Sequence, residues 1–165
     1  MPQEYLHQEA IKVAIESEKQ LMCFYQRAAE MVADAAGQRV FQRLAGEKRE
    51  HIAQFFEHYR GTELGSYAEF VNTPCPAEKE VLKELQVTID DQVKERRARE
   101  IAMDKEAQFE KMLLSRAKQI VDPGVRTVFE QMARECRNHY TIVESEYARF
   151  MHMPHESDID TYVRE

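Results

Sequence analysis

The sequence has few of the residues that build turns and no long apolar stretch. Its 165 residues include only 5 glycines and 5 prolines, which argues against a turn-rich β architecture. No apolar run approaches the roughly 20 residues that a membrane-spanning helix needs, so no contact with a membrane is expected. The net charge of −7 leaves no basic face to neutralise phosphates, so nucleic acid is not an expected partner either.

Cysteine is also scarce. Cys23, Cys75 and Cys136 are widely spaced and no CxxC pair occurs, which excludes a four-cysteine iron site or a zinc ribbon within this sequence. An odd number of separated cysteines predicts reduced thiols and a cytoplasmic protein. The first residues lack a basic region followed by an apolar one, so a secretory signal is not expected.

What the sequence does have is helical periodicity along most of its length. The predicted order is a helix over about 4–34, a turn at Gly37, a helix over about 38–60, a long crossover over about 61–77, a helical segment over about 77–120 and a helix over about 124–152. One helix over 77–120 would be about 65 Å long, so we expect a break near 86–92. The pattern predicts one all-α four-helix bundle over 1–153 and a tail over 154–165.

The two halves of the bundle, about 4–60 and 92–152, repeat each other at an interval of 88 residues. Residues 14–18 align with 102–106, and residues 40–51 align with 128–139 without a gap. In each half a Glu is followed 33 residues later by a His, which gives the pairs Glu18/His51 and Glu106/His139. A helical wheel turns both histidines and Glu18 inward, and the repeat places Glu106 in the same way. The pattern therefore predicts one inner site shared by two halves.

Two interpretations of this site stay open, because buried carboxylates need a partner. In one, Glu18, Glu106, His51 and His139 hold a metal, and mixed carboxylate and imidazole ligands suit iron, manganese or zinc. In the other, the site is a polar network in which Lys48 pairs with Glu18 or Glu106, and the histidines are ordinary core residues.

Three stretches carry a resemblance to a known family. They are Ala-Ile-Glu-Ser-Glu-Lys with Phe24-Tyr25, then Phe-Gln-Arg-Leu-Ala-Gly-Glu-Lys-Arg-Glu-His, and finally Val-Phe-Glu-Gln-Met-Ala-Arg-Glu-Cys-Arg-Asn-His. Together they resemble the rubrerythrin-type diiron carboxylate proteins of the ferritin-like superfamily, without a rubredoxin domain. The resemblance covers most of residues 4–152 and implies a ferritin-like four-helix bundle, made of two repeated helical hairpins joined by a long crossover.

The resemblance also implies a chemistry. Two irons per chain would be bound, with Glu18 and Glu106 as terminal carboxylate ligands and His51 and His139 as the histidines of two Glu-x-x-His motifs. It implies reduction of peroxide or oxygen, with electrons from an external donor protein because no rubredoxin-like domain is present. Tyr25 lies two turns from Glu18 on the same helix face, where it could order a ligand or simply belong to the core.

The sequence departs from the family motif at one position in each half. Lys48 and Cys136 stand where Glu-x-x-His has its acid, so the two bridging carboxylates are missing there. Glu47 and Glu135 stand one residue earlier, and a bulge in each helix could turn them inward as bridging ligands. Otherwise the expected alternatives are a mononuclear site, a zinc site using Cys136, or no metal in a non-catalytic bundle. That bundle would act as an interaction or metal-holding protein.

Two further expectations concern surfaces. The basic residues Arg96, Arg97 and Arg99 are interpreted as a solvated helix face. A homodimer is predicted because the long third helix and the tail offer apolar surface beyond one bundle, the tail through Ile159, Tyr162 and Val163.

Overall fold

The protein is described here from a computed structural model, which covers residues 2–76 and 90–153, with side chains from residue 7 onward. The regular structure of these residues is entirely α-helical. The helices are α1 (Pro2–Met31), α2 (Ala35–Phe56), α3 (Tyr67–Asn72), α4 (Asp91–Ala117) and α5 (Pro123–Phe150). The predicted all-α class is confirmed, and no helix in the described part of the chain is long and apolar enough to cross a membrane.

Three of the four long helices, α2, α4 and α5, follow aspartates that cap them. Asp34, Asp90 and Asp122 have extended backbones, and each side chain accepts hydrogen bonds from amides in the first turn of α2, α4 and α5 respectively. Gly37, which was expected in the turn before α2, instead lies buried in its first turn. A Cβ there would stand 2.3 Å from the guanidinium of Arg99, so only glycine leaves room for that side chain.

The bundle consists of two helix pairs that pack on each other. α1 packs along α2 and α4 packs along α5, while α2 also meets α5 and α1 meets α4. Apolar side chains with almost no exposed surface fill the centre, among them Ile11, Ile15, Met22, Leu44, Ile52, Phe55 and Phe129. Fully burying each such side chain contributes about 1.5–3 kcal/mol. These four helices therefore bring the polar residues of both halves to one interior.

The connection after α2 is fastened to α1. It contains the short helix α3, whose capping box joins Ser66 and Glu69. The Lys19 ammonium donates hydrogen bonds to the carbonyl oxygens of Phe70, Val71 and Thr73, where α3 ends. Further along the chain, α4 begins at Asp91, inside the stretch where a break was expected. Residues 77–89 and the tail, with Ile159, Tyr162 and Val163, lie outside the described residues.

One prediction about charge is wrong. Arg99, expected on a solvated face with Arg96 and Arg97, has no exposed surface. Its guanidinium lies 2.9 Å from carboxylate oxygens of both Glu95 and Glu146 and 3.1 Å from Asp34. Phe150 packs over its other face, with the ring centroid 4.3 Å from the guanidinium carbon. A buried cation surrounded by three carboxylates, here named the end cluster, therefore joins α4, α5 and the turn before α2.

The expectation of reduced thiols is wrong for two of the three cysteines. Cys23 of α1 and Cys75 of the crossover form a disulfide, and Cys136 is a free buried thiol. The disulfide and the Lys19 contacts lie one helical turn apart on α1, so both attach the crossover to the same helix. Because disulfides persist mainly in oxidising compartments, the cysteines no longer argue for a cytoplasmic protein.

Removing the disulfide should lower the free energy of unfolding. The bond joins residues 52 apart in sequence, and closing a loop of that length restricts the unfolded chain by about 4 kcal/mol. We expect the double variant Cys23→Ser, Cys75→Ser to lose about that amount in urea denaturation. Wild-type protein unfolded in the presence of a reductant is the matched control and should behave like the variant. Equal stability of all three samples would contradict the prediction.

The end cluster should make stability depend on acid pH. Burial alone would raise the pKa of Glu146, but its hydrogen bonds with Arg149 and Arg99 hold that pKa below the ordinary value. A depressed pKa stabilises the fold above about pH 4.5 and loses that contribution as the pH falls further. Glu146→Gln should therefore cost about 2 kcal/mol at pH 7 and much less at pH 3. Glu130→Gln, at an exposed ion pair, serves as the control in denaturation at both pH values.

Candidate metal centre

The centre of the bundle holds a lysine between two glutamates. Glu18 comes from α1, Lys48 from α2 and Glu106 from α4, and none of the three side chains has exposed surface. The Lys48 Nζ atom lies 3.3 Å from Oε2 of Glu18 and 3.2 Å from Oε2 of Glu106. The ring of Phe109 covers the ammonium with its centroid 5.2 Å away. This carboxylate–ammonium–carboxylate group is named the inner triad.

The environment keeps Lys48 and Glu106 of the inner triad charged. Burial alone would lower the pKa of Lys48, but the carboxylates of Glu18 and Glu106 raise it above its usual value. Burial alone would likewise raise the pKa of Glu106, yet Lys48 and His139 hold it below its usual value. The ammonium and this carboxylate therefore stabilise each other's charged forms.

Each half of the repeat brings its histidine to its own glutamate. The His139 Nδ1 atom lies 3.3 Å from Oε1 of Glu106, and the His51 Nδ1 atom lies 3.6 Å from Oε1 of Glu18. The two imidazoles are nearly parallel, with ring centroids 5.4 Å apart. The structure thus brings together the four residues that the sequence singled out, and it adds Lys48 between the two carboxylates.

Two more carboxylates reach the histidines from the outside of the bundle. The Glu47 Oε2 atom lies 3.1 Å from His139 Nε2, although Glu47 is on α2 and His139 is on α5. Glu135, His51 and His139 each offer a ligand atom, and these atoms lie within 4.8 Å of one another. Glu47 and Glu135 are partly exposed, unlike the inner carboxylates. These four residues, His51, His139, Glu47 and Glu135, are named the outer donor set.

No bulge is needed to bring Glu47 and Glu135 to the histidines. Both α2 and α5 are α-helical from end to end. Because each acid precedes a histidine by four residues, its side chain shares one helix face with that histidine. Each lies at the edge of the inward stripe, where its side chain is partly exposed. From there the carboxylates approach the histidines from the solvent side rather than between Glu18 and Glu106.

Tyr25 and Cys136 complete the interior. The Tyr25 hydroxyl donates a 2.8 Å hydrogen bond to Oε1 of Glu106, so the tyrosine orders that carboxylate rather than only filling the core. Burial raises the pKa of the Cys136 thiol, although the Lys48 ammonium opposes this shift. In the described part of the chain, Cys136 is not a member of the group of convergent ligand atoms formed by His51, Glu135 and His139, so the structure gives no support to the zinc site with Cys136.

A comparison with models of protein families identifies the family to which this chain belongs. The family described as Rubrerythrin matches residues 9–147. The chain belongs to the rubrerythrin family. Comparisons with curated proteins and with solved structures gave no match. Family membership supports a metal-binding protein of the diiron type, and the outer donor set supplies a carboxylate and histidine group of the required chemistry.

The inner donors do not fit the pair of irons that rubrerythrins typically hold. Such a pair needs two bridging carboxylates, and Lys48 and Cys136 stand at those positions. The Lys48 ammonium lies between the two terminal carboxylates, where the ions would sit. A divalent ion about 4 Å from an ammonium is repelled by about 8 kcal/mol at an effective dielectric constant of about 20. The inner residues therefore do not fit a dinuclear centre.

Several buried polar atoms around the histidines remain without a hydrogen bond. In the described part of the chain they include both carboxylate oxygens of Glu18, Glu47 Oε2, His51 Nδ1 and His139 Nε2. Glu18 at least has the nearby Lys48 charge. The facing pair Glu47 Oε2 and His139 Nε2 has no such neighbour, and two buried acceptors at 3.1 Å need a proton or a cation between them.

Sequence reasoning placed the inward residues but not their partners. It considered Lys48 with one glutamate, whereas the ammonium bridges both. It also considered Glu47 only as a ligand turned inward by a bulge. A helical wheel treats each helix separately, so it cannot show that Glu47 of α2 faces His139 of α5. The available signal was the acid four residues before each histidine in both halves.

Loss of the tyrosine hydroxyl should weaken the centre. In Tyr25→Phe, the buried Glu106 carboxylate loses its shortest hydrogen bond, and hydrogen bonds to charged groups contribute about 1.5–3 kcal/mol. We expect a loss of about 2 kcal/mol in the free energy of unfolding. Tyr140→Phe, at a partly exposed position on α5, is the control and should change stability by less than about 0.5 kcal/mol. Equal effects of the two changes would argue against the Tyr25 contact.

Proposed function

We propose that this rubrerythrin-family protein binds one divalent transition-metal ion per chain at the outer donor set, with iron as the leading candidate. The observation that carries the proposal is the convergence of His51, His139 and Glu135, whose ligand atoms lie within 4.8 Å of one another. Glu47 adds a fourth donor 3.1 Å from His139 Nε2. Two imidazoles with carboxylates form a donor set that suits iron, manganese or zinc.

In this proposal the inner glutamates orient the histidines instead of binding metal. Glu106 accepts the Nδ1–H of His139, which leaves Nε2 of that ring directed toward Glu47. Tyr25 in turn holds Glu106. A carboxylate that accepts the second ring N–H fixes the tautomer of a ligating histidine and raises its basicity. Oε1 of Glu18 faces Nδ1 of His51 at 3.6 Å, which is too far for a hydrogen bond.

The partly exposed acids place this ion within reach of small molecules from solvent. Bound iron would supply redox chemistry on oxygen or peroxide, which is what the family resemblance implies, and this activity stays a prediction. The three cysteines form no CxxC pair, so electrons would come from a donor outside these 165 residues. A homodimer stays a prediction on the sequence argument given for it, whereas the Cys23–Cys75 disulfide removes the cysteine argument for a cytoplasmic location.

A second candidate function is a non-catalytic bundle that holds no metal. The inner triad favours it, because Lys48 already neutralises part of the buried negative charge without any ion. In that case the protein would act through its surface as an interaction protein. Metal binding distinguishes the two candidates directly.

Metal titration tests the proposal. Protein stripped with a chelator and titrated anaerobically with Fe²⁺, then separately with Mn²⁺ and Zn²⁺, should bind about one ion per chain. The double variant Glu47→Gln, Glu135→Gln should bind at least about 100-fold more weakly, because it loses both outer carboxylates. The matched control is Glu50→Gln, Glu130→Gln, which removes the same charge from the same two helices, at the exposed Glu50 and at the partly exposed Glu130 that pairs with Arg126.

The stoichiometry separates the alternatives. Binding of about two irons per chain, with no change in the variant Glu47→Gln, Glu135→Gln, would contradict the proposal. It would indicate a two-iron centre between the inner glutamates instead. No binding of any of the three ions would favour the non-catalytic bundle. An equal loss of affinity in the control would show that general surface charge, not the outer donor set, attracts the metal.

A further inference from the structure

We propose that the Lys48 ammonium is the resident cation of the inner cavity, standing in for the metal pair, and that restoring acids at positions 48 and 136 would recreate a dinuclear site. This inference concerns the inner triad and does not depend on whether the outer donor set binds a metal. It explains how a chain of this family can keep the buried carboxylates of a metal centre after losing the bridging ones.

The position of the ammonium is the first support. Its Nζ atom is nearly equidistant from Glu18 and Glu106, at 3.3 and 3.2 Å, and these carboxylates come from helices of opposite halves. All three side chains are fully buried, so bulk solvent does not screen their charges. An uncompensated buried carboxylate is costly, and Lys48 is the cation that the structure places against both of them.

The internal repeat is the second support. Lys48 and Cys136 are equivalent under the 88-residue shift, and each stands three residues before its histidine. Both bridging positions therefore lack their acid, because one holds a lysine and the other a cysteine. Removing two carboxylates and adding one ammonium lowers the negative charge of the cavity by three, which removes most of the attraction for two divalent ions.

Neighbouring groups stabilise the charge that remains on Glu106. Two carboxylates against one ammonium leave one negative charge on the inner triad. The Tyr25 hydroxyl and His139 Nδ1 both meet Oε1 of Glu106, at 2.8 and 3.3 Å. Phe109 closes the remaining side of the ammonium. The cavity is thus built around Lys48 on every side that the described residues show, and the fold should not need a metal at its centre.

The restoring experiment combines Lys48→Glu with Cys136→Glu. It is made in a chain that also carries Glu47→Gln and Glu135→Gln, so that the outer donor set is disabled. After refolding with Fe²⁺ or Mn²⁺ without oxygen, we expect about two ions per chain, against none in the parent that carries only the two glutamines. The melting temperature of the restored chain should rise on adding metal, while that of the parent should not.

A matched charge control separates a built site from simple attraction. Arg39→Glu with Ser115→Glu in the same parent makes the same change of net charge, −2 and −1, at exposed positions of α2 and α4 away from the inner triad, and should bind no additional metal. A restored chain that folds and binds no more metal than this control would overturn the inference. The metal content of unaltered protein reports on the outer site, whereas metal gained only after Lys48 is replaced reports on the inner one.

A second variant tests the inference if the chain with Lys48→Glu and Cys136→Glu does not fold. Lys48→Met leaves Glu18 and Glu106 without their cation, and we expect the melting temperature to fall by about 10 °C. Adding Glu18→Gln and Glu106→Gln should recover most of this loss, because the amides need no cation. Arg39→Met, at an exposed position of α2, should change the melting temperature by less than about 2 °C. If Lys48→Met is as stable as the unaltered protein, Lys48 is not the resident cation and the inference fails.

Discussion

The ion contacts of Lys48 with Glu18 and Glu106 are the constraint on which the centre of this protein depends. Two buried carboxylates are costly to keep charged unless a cation lies between them. Lys48 supplies that cation from α2 and so joins α1, α2 and α4 at one point. The same carboxylates also face the Nδ1 atoms of the two histidines, so the lysine indirectly sets how each imidazole is turned.

The end cluster repeats this solution at the junction of other elements. Arg99 has no exposed surface and forms ion pairs with Glu95, Glu146 and Asp34. Lys48 pairs with two glutamates in the same way at the centre of the bundle. Buried ion groups contribute less net stability than apolar packing of the same volume, because each charge must be desolvated. Their geometric demands are stricter, however. The two clusters therefore bear more on which helices meet, and in which register, than on total stability.

The sequence predicted the helices and the residues that face inward, because both follow from local spacing. Glu18 and His51, and their counterparts in the second half, were found through a repeat that needs no tertiary knowledge. Contacts between elements could not be predicted in this way. Arg99 follows Arg97 by two residues in a basic stretch of sequence. Its burial becomes visible only when α5 and the turn before α2 are in place around it. Similarly, the Cys23–Cys75 disulfide depends on the path of the crossover, which spacing does not encode.

The two nitrogens of His139 connect the inner triad to the outer donor set. Nδ1 meets Glu106, whose charge Lys48 already balances, while Nε2 meets Glu47 at the partly exposed edge of the bundle. A cation added to the interior would have to displace the ammonium, whereas one added at the edge would meet acceptors that lack a hydrogen bond. Repulsion by Lys48 decreases with distance, and the solvent near Glu47 screens it further. If the proposed outer site holds, replacing the bridging acid by lysine does more than remove a ligand, because the favourable position for a metal is then at Nε2 of His139 rather than at Nδ1.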